Sequence, residues 1–398
     1  MLLKRRSFIK GSGLATASLM MPRFLHAFDA DDKVPAGNKV LVVLQLSGGN
    51  DGLNTVIPYR NDIYYKSRPG IAIAKENAIR LTDETGLHPS LNYLGKLYEQ
   101  GALGILNNVG YPEPDRSHFR SMDIWQSASA ANQYWETGWL GRFLDDQCKD
   151  CNHSTQAIEI DDMLSLALKG KAKNGFAFKD LRKLYQAARS PFLQDLLNAH
   201  DREHAEHTAS YLYKTLADTK KSTAYIYEHS QQVATGVYPN HELGRNLKTV
   251  ASLILSDINT KVYYVSIGSF DTHVAQDQQQ SRLFSQINEA LQAFVTDLKK
   301  NNRFEDVLIM SFSEFGRRVA QNASRGTDHG SANNMFFISG GLKQKGLLNE
   351  LDDLTSLKLG DLQYKIDFRR VYATVLENWL NVKAEPILGN AFEPLRFI

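Results

Sequence analysis

The stretch KVLVVLQLSGGNDGLNT, residues 39–55, passes from an unbroken apolar run through two glycines to Asn50 and Asp51. Val and Leu without alternation are the pattern of a strand buried on both faces, as in parallel sheets covered by helices. Ligands of such folds gather beyond the carboxyl ends of the strands, which makes Asp51 a candidate site residue. The same residue also suits an ordinary strand-to-helix turn in which Asp caps the next helix, and both readings stand on this stretch alone.

Similar runs recur along the chain: ALGILNNV at 102–109, KVYYVSIG at 261–268, DVLIMSFS at 306–313 and NMFFISGG at 334–341. Between them, SLNYLGKLYEQ at 90–100 and SRLFSQINEALQAFVTDLKK at 281–300 space their apolar residues by three and four, the period of an amphipathic helix. The alternation predicts an α/β three-layer sandwich, with a mostly parallel central sheet flanked by helices. The polar, helix-patterned region 176–245, which contains DREHAEHTASYLYKTL, reads as an insertion or cap. Neither an internal repeat nor a low-complexity tract is evident.

With 398 residues, 42% hydrophobic and 23% charged, the chain can bury one large core, and residues 39–398 are expected to form a single domain. The segment MLLKRRSFIKGSGLATASLMMPRFLHA, residues 1–27, has a basic start, a short apolar middle and small residues near Ala27. That is the build of a secretory signal peptide, and Arg5-Arg6 followed by Ser7-Phe8-Ile9-Lys10 resembles a twin-arginine signal. An amphipathic helix of the mature protein is the alternative. The signal reading implies the twin-arginine translocase as a partner, a periplasmic or exported protein, and a polar linker over residues 28–38. Removing the segment's five basic residues takes the formal net charge from +2 to −3, so nothing points to nucleic acid. No internal apolar run reaches membrane-spanning length, so no span is expected in the mature form. Cys148 and Cys151 are the only cysteines, which excludes a four-thiolate zinc site. They read as a structural disulfide or two free thiols, with a redox pair or a contribution to a metal as alternatives.

Polar residues cluster where the apolar runs end. Asn50 and Asp51 follow the first; Asp271 and His273 follow the run at 261–268; Ser313, Glu314 and Arg317 follow the run at 306–313; Asp328 and His329 precede the run at 334–341. Carboxylates and imidazoles delivered to one sheet edge suit one or two divalent metals. Taken singly, Asp271 reads equally as a turn residue, His273 as a helix cap and Glu314 as part of a first helical turn. The run at 102–109 leads into GYPEPDRSHFRSMDIWQSA, where Ser117 stands at a predicted helix start among unpaired N–H groups, as a nucleophile or an N-cap.

The succession GGNDGLNT, DRSHFRSMDIWQS, FDTH, SEFGRR, GTDHG and DFRRVYATVL resembles the exported bacterial family called domain of unknown function 1501, which is grouped with the alkaline phosphatase-like superfamily. The resemblance covers nearly the whole chain after the first segment. It implies an alkaline phosphatase-like sandwich with a metal site at the strand ends. It also implies Asp51, Asp271, His273, Glu314, Asp328 and His329 as metal ligands and Ser117 as nucleophile; beside such a site, Arg116 or Arg317 is expected as an oxyanion clamp. The Asp271–His273 spacing is shorter than in that superfamily, and Ser313-Glu314 stands where it carries Asp-His. A site with fewer imidazoles suits Mg²⁺, Mn²⁺ or Ca²⁺ as well as Zn²⁺. A serine esterase reading of GGND fails because no Gly-Asp-Ser lies upstream, and no Cys/Ser-x-Pro-x-Arg string marks a formylglycine sulfatase. The expected function is metal-dependent hydrolysis of a phosphate or related ester, including sulfate, on a small molecule or glycan. The second reading is a non-catalytic member that binds an envelope glycan or a protein.

Overall fold

The run that opens the domain becomes β1 (Val40–Leu46), buried along its whole length in the computed structural model, which describes residues 38–147, 154–193, 207–230 and 232–398. Cys148, Cys151 and the segment read as a signal peptide lie outside the described residues. With β1, the strands β2 (Leu103–Gly110), β3 (Ala157–Glu159), β4 (Phe176–Ala177), β5 (Val262–Ile267), β6 (Val307–Phe312), β7 (Asn333–Ile338), β8 (Gly346–Leu347) and β9 (Ile366–Asp367) form a 9-stranded sheet. Its order is β8-β2-β7-β6-β1-β5-β3-β4, with β9 also on β2. β1 runs parallel to both neighbours, Leu41 standing beside Val262 on one side and Leu308 on the other. β7 alone runs antiparallel, against β2 and β6.

Alternate residues of β1 serve opposite layers, which is why the run shows no polar face. Val40, Val42, Leu44 and Leu46 pack into one core with helices α1 (Asn92–Glu99), α4 (Glu242–Leu255) and α5 (Gln276–Lys300). Leu41 and Val43 face the other core, with α2 (His118–Ser127), α3 (Trp139–Gln147) and α6 (Phe368–Thr374). Each such Val or Leu stabilises the fold by about 1.5–3 kcal/mol relative to exposure. Trp125 of α2 stacks on Phe312 of β6 and Phe368 of α6 at ring-centroid distances of 5.3 and 4.3 Å. Those stacks fix where the first residue of α2, His118, stands.

The region 176–245 holds helices Leu181–Ala188 and His207–His229, with Tyr185 and Tyr227 stacked at 3.9 Å. Its first residues differ from the expectation: Phe176–Ala177 is β4 and joins the sheet beside β3. Two residues are too few to show a strand period.

The parallel strands β1, β2, β5 and β6 end at one edge of the sheet, and antiparallel β7 begins there. The hairpin Arg317–Gln321/Thr327–His329, between β6 and β7, sets Arg317 opposite His329 at that edge. Every polar cluster found in the sequence therefore faces the same side of the molecule.

Candidate metal centre

The two glycines after β1 let three loops close on one another. Gly48 and Gly49 have φ of +120° and +77°, a region that favours glycine. A Cβ on Gly48 would lie 2.4 Å from the Asp271 nitrogen, and one on Gly49 would lie 2.2 Å from the Phe315 ring. Into this junction Arg317 brings a fully buried guanidinium. Its Nε donates to Gly49 O at 2.6 Å, its Nη1 to Thr327 O at 2.8 Å, and its Nη2 to Phe270 O at 3.0 Å and to Gly48 O. Nη2 also pairs with Asp271 Oδ1 at 2.7 Å. Arg317 thus ties the loops that follow β1 and β5 to the hairpin that carries His329.

Three histidines face this Asp271 carboxylate. His118 Nδ1 lies 2.9 Å from Glu314 Oε1, an oxygen that also accepts the Gly48 N–H at 2.8 Å. His329 Nδ1 lies 2.8 Å from Arg116 O, and His273 Nδ1 lies 3.4 Å from Asp328 Oδ1. Carbonyls and ionised carboxylates only accept, so each Nδ1 carries a proton, and the Nε2 of each ring is turned toward Asp271. Those Nε2 atoms converge. His273 Nε2 stands 3.0 Å from Asp271 Oδ1, and His329 Nε2 stands 3.2 Å from it. The two Nε2 atoms are 3.0 Å from each other, and His118 Nε2 is 3.5 Å from Asp271 Oδ2. Burial opposes the charge on Asp271, but hydrogen bonds from Arg317 and His329 and the charges of Arg317 and His273 outweigh it and hold the pKa at about 2. Asp328 is held below the usual carboxylate range by the Asn322 amide and by His273.

The chain can now be placed among known proteins. A family model, protein of unknown function (DUF1501), matches residues 98–385. The chain belongs to this family. Among solved structures, this DUF1501 protein is similar to the PsFucS1 sulfatase from Pseudoalteromonas sp., at 11% identity over 90% of this chain and 70% of that chain, TM-score 0.41. It is similar to the lipoteichoic acid synthase LtaP from Listeria monocytogenes, at 9% identity over 90% of this chain and 77% of that chain, TM-score 0.40. A protein in the alkaline phosphatase superfamily from Vibrio parahaemolyticus shares 12% identity over 89% of this chain and 69% of that chain, TM-score 0.39. No curated protein matches it. Among the described residues, no helix is long and apolar enough to cross a membrane.

Of the ligands expected from the sequence of the DUF1501 chain, Asp271, His273 and His329 meet. His118 joins them, and its ligand atom lies within 4.8 Å of those of Asp271 and His329. Sequence reading passed over His118, although it sits in DRSHFR directly after Ser117. Glu314 and Asp328 stand behind the histidines as acceptors for His118 and His273.

Asp51 stands apart from the cluster. Its carboxylate pairs with Arg68, both side chains being at most 1% exposed, and it accepts from Gln276 Nε2 and, at 3.2 Å, from the Leu53 N–H. With an arginine on both oxygens, it caps the short helix Gly52–Thr55 instead of facing the imidazoles. Arg317, expected as an oxyanion clamp, is instead spent on main-chain carbonyls and Asp271, because it is buried beneath the loops. The Arg116 side chain pairs with the buried Asp361. Ser117 precedes α2 with an exposed side chain that makes no capping hydrogen bond, leaving its hydroxyl free.

Proposed function

We propose that this DUF1501 protein is an exported hydrolase of phosphate or related esters, sulfate included, that works with one divalent cation held by His118, His273, His329 and Asp271. One observation carries the reading: the Nε2 atoms of His273 and His329 stand 3.0 Å apart, beside a carboxylate. Two lone pairs at that distance repel unless a proton or a cation lies between them. His118 Nε2, a buried atom without a hydrogen-bond partner, faces the same point.

The residues present fit the ion. Tetrahedral bonds of about 2.0–2.2 Å separate neighbouring ligand atoms by about 3.3–3.6 Å. The His273 and His329 Nε2 atoms, and each of the three Nε2 atoms with its nearer Asp271 oxygen, are 3.0 to 3.5 Å apart. Three imidazoles and one carboxylate suit Zn²⁺ or Mn²⁺ better than Mg²⁺ or Ca²⁺. Each histidine is oriented through Nδ1 by an acceptor, the usual outer-shell arrangement of metal-ligating imidazoles. The Arg68–Asp51 pair, which occupies the first strand end, supports a single ion.

A bound divalent cation supplies Lewis acidity toward an ester oxygen. The protein's own groups do the rest. Arg317 keeps Asp271 anionic and fixes its direction. Glu314, Asp328 and the Arg116 carbonyl hold the imidazoles in one tautomer. Ser117 offers a free hydroxyl at the amino end of α2, where unpaired N–H groups favour an anionic oxygen. The route out of the cytoplasm rests on the basic and apolar pattern of residues 1–27.

Protein purified without chelator should carry about one equivalent of divalent metal. It should hydrolyse an aryl phosphate, phosphodiester or sulfate ester, with activity lost in EDTA and restored by Zn²⁺ or Mn²⁺. Metal-free protein that hydrolyses the same esters at an undiminished rate, or protein that binds no divalent ion, would overturn the reading.

A further inference from the structure

Asp51 does not reach the histidines, yet it is linked to them through one side chain. Gln276, the first residue of α5, is fully buried. Its Nε2 donates to Asp51 Oδ2, which commits the amide oxygen to the opposite direction. That oxygen accepts two hydroxyls: Thr272 Oγ1 at 3.1 Å and Thr327 Oγ1 at 2.5 Å. Thr272, between Asp271 and His273, is 2% exposed. Thr327, two residues before His329, is 0% exposed. The segments also touch directly, the Thr327 N–H donating to Thr272 O at 3.2 Å.

We propose that Gln276 is a positioning residue that sets the spacing between the Asp271–His273 segment and His329, with Asp51 and Arg68 orienting it from behind. The proposal rests on the metal reading above and assigns the Asp51–Arg68 pair a part in the same site.

The geometry has a physical logic. Asp271 and His273 come from the loop after β5, and His329 from the hairpin before β7, so their relative position depends on contacts between two irregular segments. A single amide oxygen that accepts one hydroxyl from each segment restrains both. The carboxylate on its other end prevents the amide from flipping, because a flipped amide would set its oxygen against Asp51 and its NH₂ against the hydroxyls. Arg68 neutralises that carboxylate and adds bonds to Val319 O at 2.8 Å and Arg318 O at 2.9 Å, in the hairpin strand that starts at Arg317. The backbone at the junction is held in an unusual form: Ala275, the residue before Gln276, has φ of +46°. Such conformations persist where surrounding contacts over-determine them.

Cobalt substitution of the full chain tests this without a turnover assay. Co²⁺ added to metal-free wild type gives a visible d–d spectrum and a dissociation constant. Gln276→Met, close in length and without hydrogen-bonding groups, should weaken Co²⁺ binding by about ten- to a hundred-fold and alter the d–d bands, with circular dichroism unchanged. Thr327→Val should act in the same direction and Thr327→Ser should restore affinity. In the double variant, Gln276→Met with Thr327→Val, the losses should be less than multiplicative, because both remove the same bond. If Gln276→Met fails to fold, Thr272→Val and Thr327→Val carry the test. Folded variants that bind Co²⁺ with wild-type affinity and spectrum would refute the positioning role alone. A wild type that binds no Co²⁺ would refute the metal reading, and the proposal with it.

Discussion

Asp51→Asn separates two roles for the carboxylate at the end of β1. As a metal ligand it would matter chiefly when metal is present, and its loss would leave the metal-free protein about as stable as before. In the structure it is half of a buried ion pair with Arg68, the two side chains 1% and 0% exposed. Breaking such a pair on one side typically costs about 3–5 kcal/mol, because the remaining charge stays out of water without its counterion. Asn retains an oxygen for the Leu53 N–H, so loss of the helix cap adds little. Arg68 would still donate to Val319 O, Arg318 O and Asn54 Oδ1, but none of these carries charge. For a chain of this size the loss corresponds to a fall in Tm of about 4–7 °C. The assay is thermal unfolding by circular dichroism of wild type and variant, both stripped with EDTA. A metal-free Asp51→Asn protein melting within about 1 °C of wild type would refute the buried-pair account.

Glu314→Gln removes the charged acceptor behind His118, and should weaken Zn²⁺ or Co²⁺ binding by about ten- to a hundred-fold, read by competition with a chromogenic chelator. Ser117→Ala should change stability by less than about 0.5 kcal/mol, since the side chain is exposed and makes no capping bond. Ester turnover in that variant should fall steeply at unchanged metal content, and an unaltered rate would remove Ser117 from the reaction. Burial pushes the His88 imidazole down to about 4, against an opposing pull from Asp51, while its Nδ1 accepts the Ser90 N–H. The unfolded chain takes up that proton near its ordinary pKa and the folded protein resists it. Stability should therefore fall as pH drops from about 6.5 to 4, by about 3 kcal/mol in all, and His88→Gln should flatten the dependence in urea unfolding. Replacing Arg5 and Arg6 by Lys should stop periplasmic accumulation, scored by fractionation and immunoblot.

The central sheet was legible because burial on both faces leaves a continuous apolar run, a signal carried within a few residues. The five runs quoted from the sequence match β1, β2, β5, β6 and β7 to within three residues at every end. The collection of Asp271, His273 and His329 at one edge followed from strand ends alone. Their partners did not. His118 opens a helix whose direction is set by Trp125 stacking on Phe312 and Phe368, contacts that join residues far apart in the chain. Whether Asp51 meets a cation from solution or the guanidinium of Arg68 depends on the fold of the intervening loop, which no local pattern encodes. Nothing in the linear string marks Arg317 or Gln276 as buried. They are buried because the glycines after β1 let three loops close over one and the Asp51–Arg68 pair backs the other. Local periodicity thus specifies which segments become strands and where polar groups leave them. Long-range packing selects which of those groups face a common point, because that choice depends on strand order and loop closure.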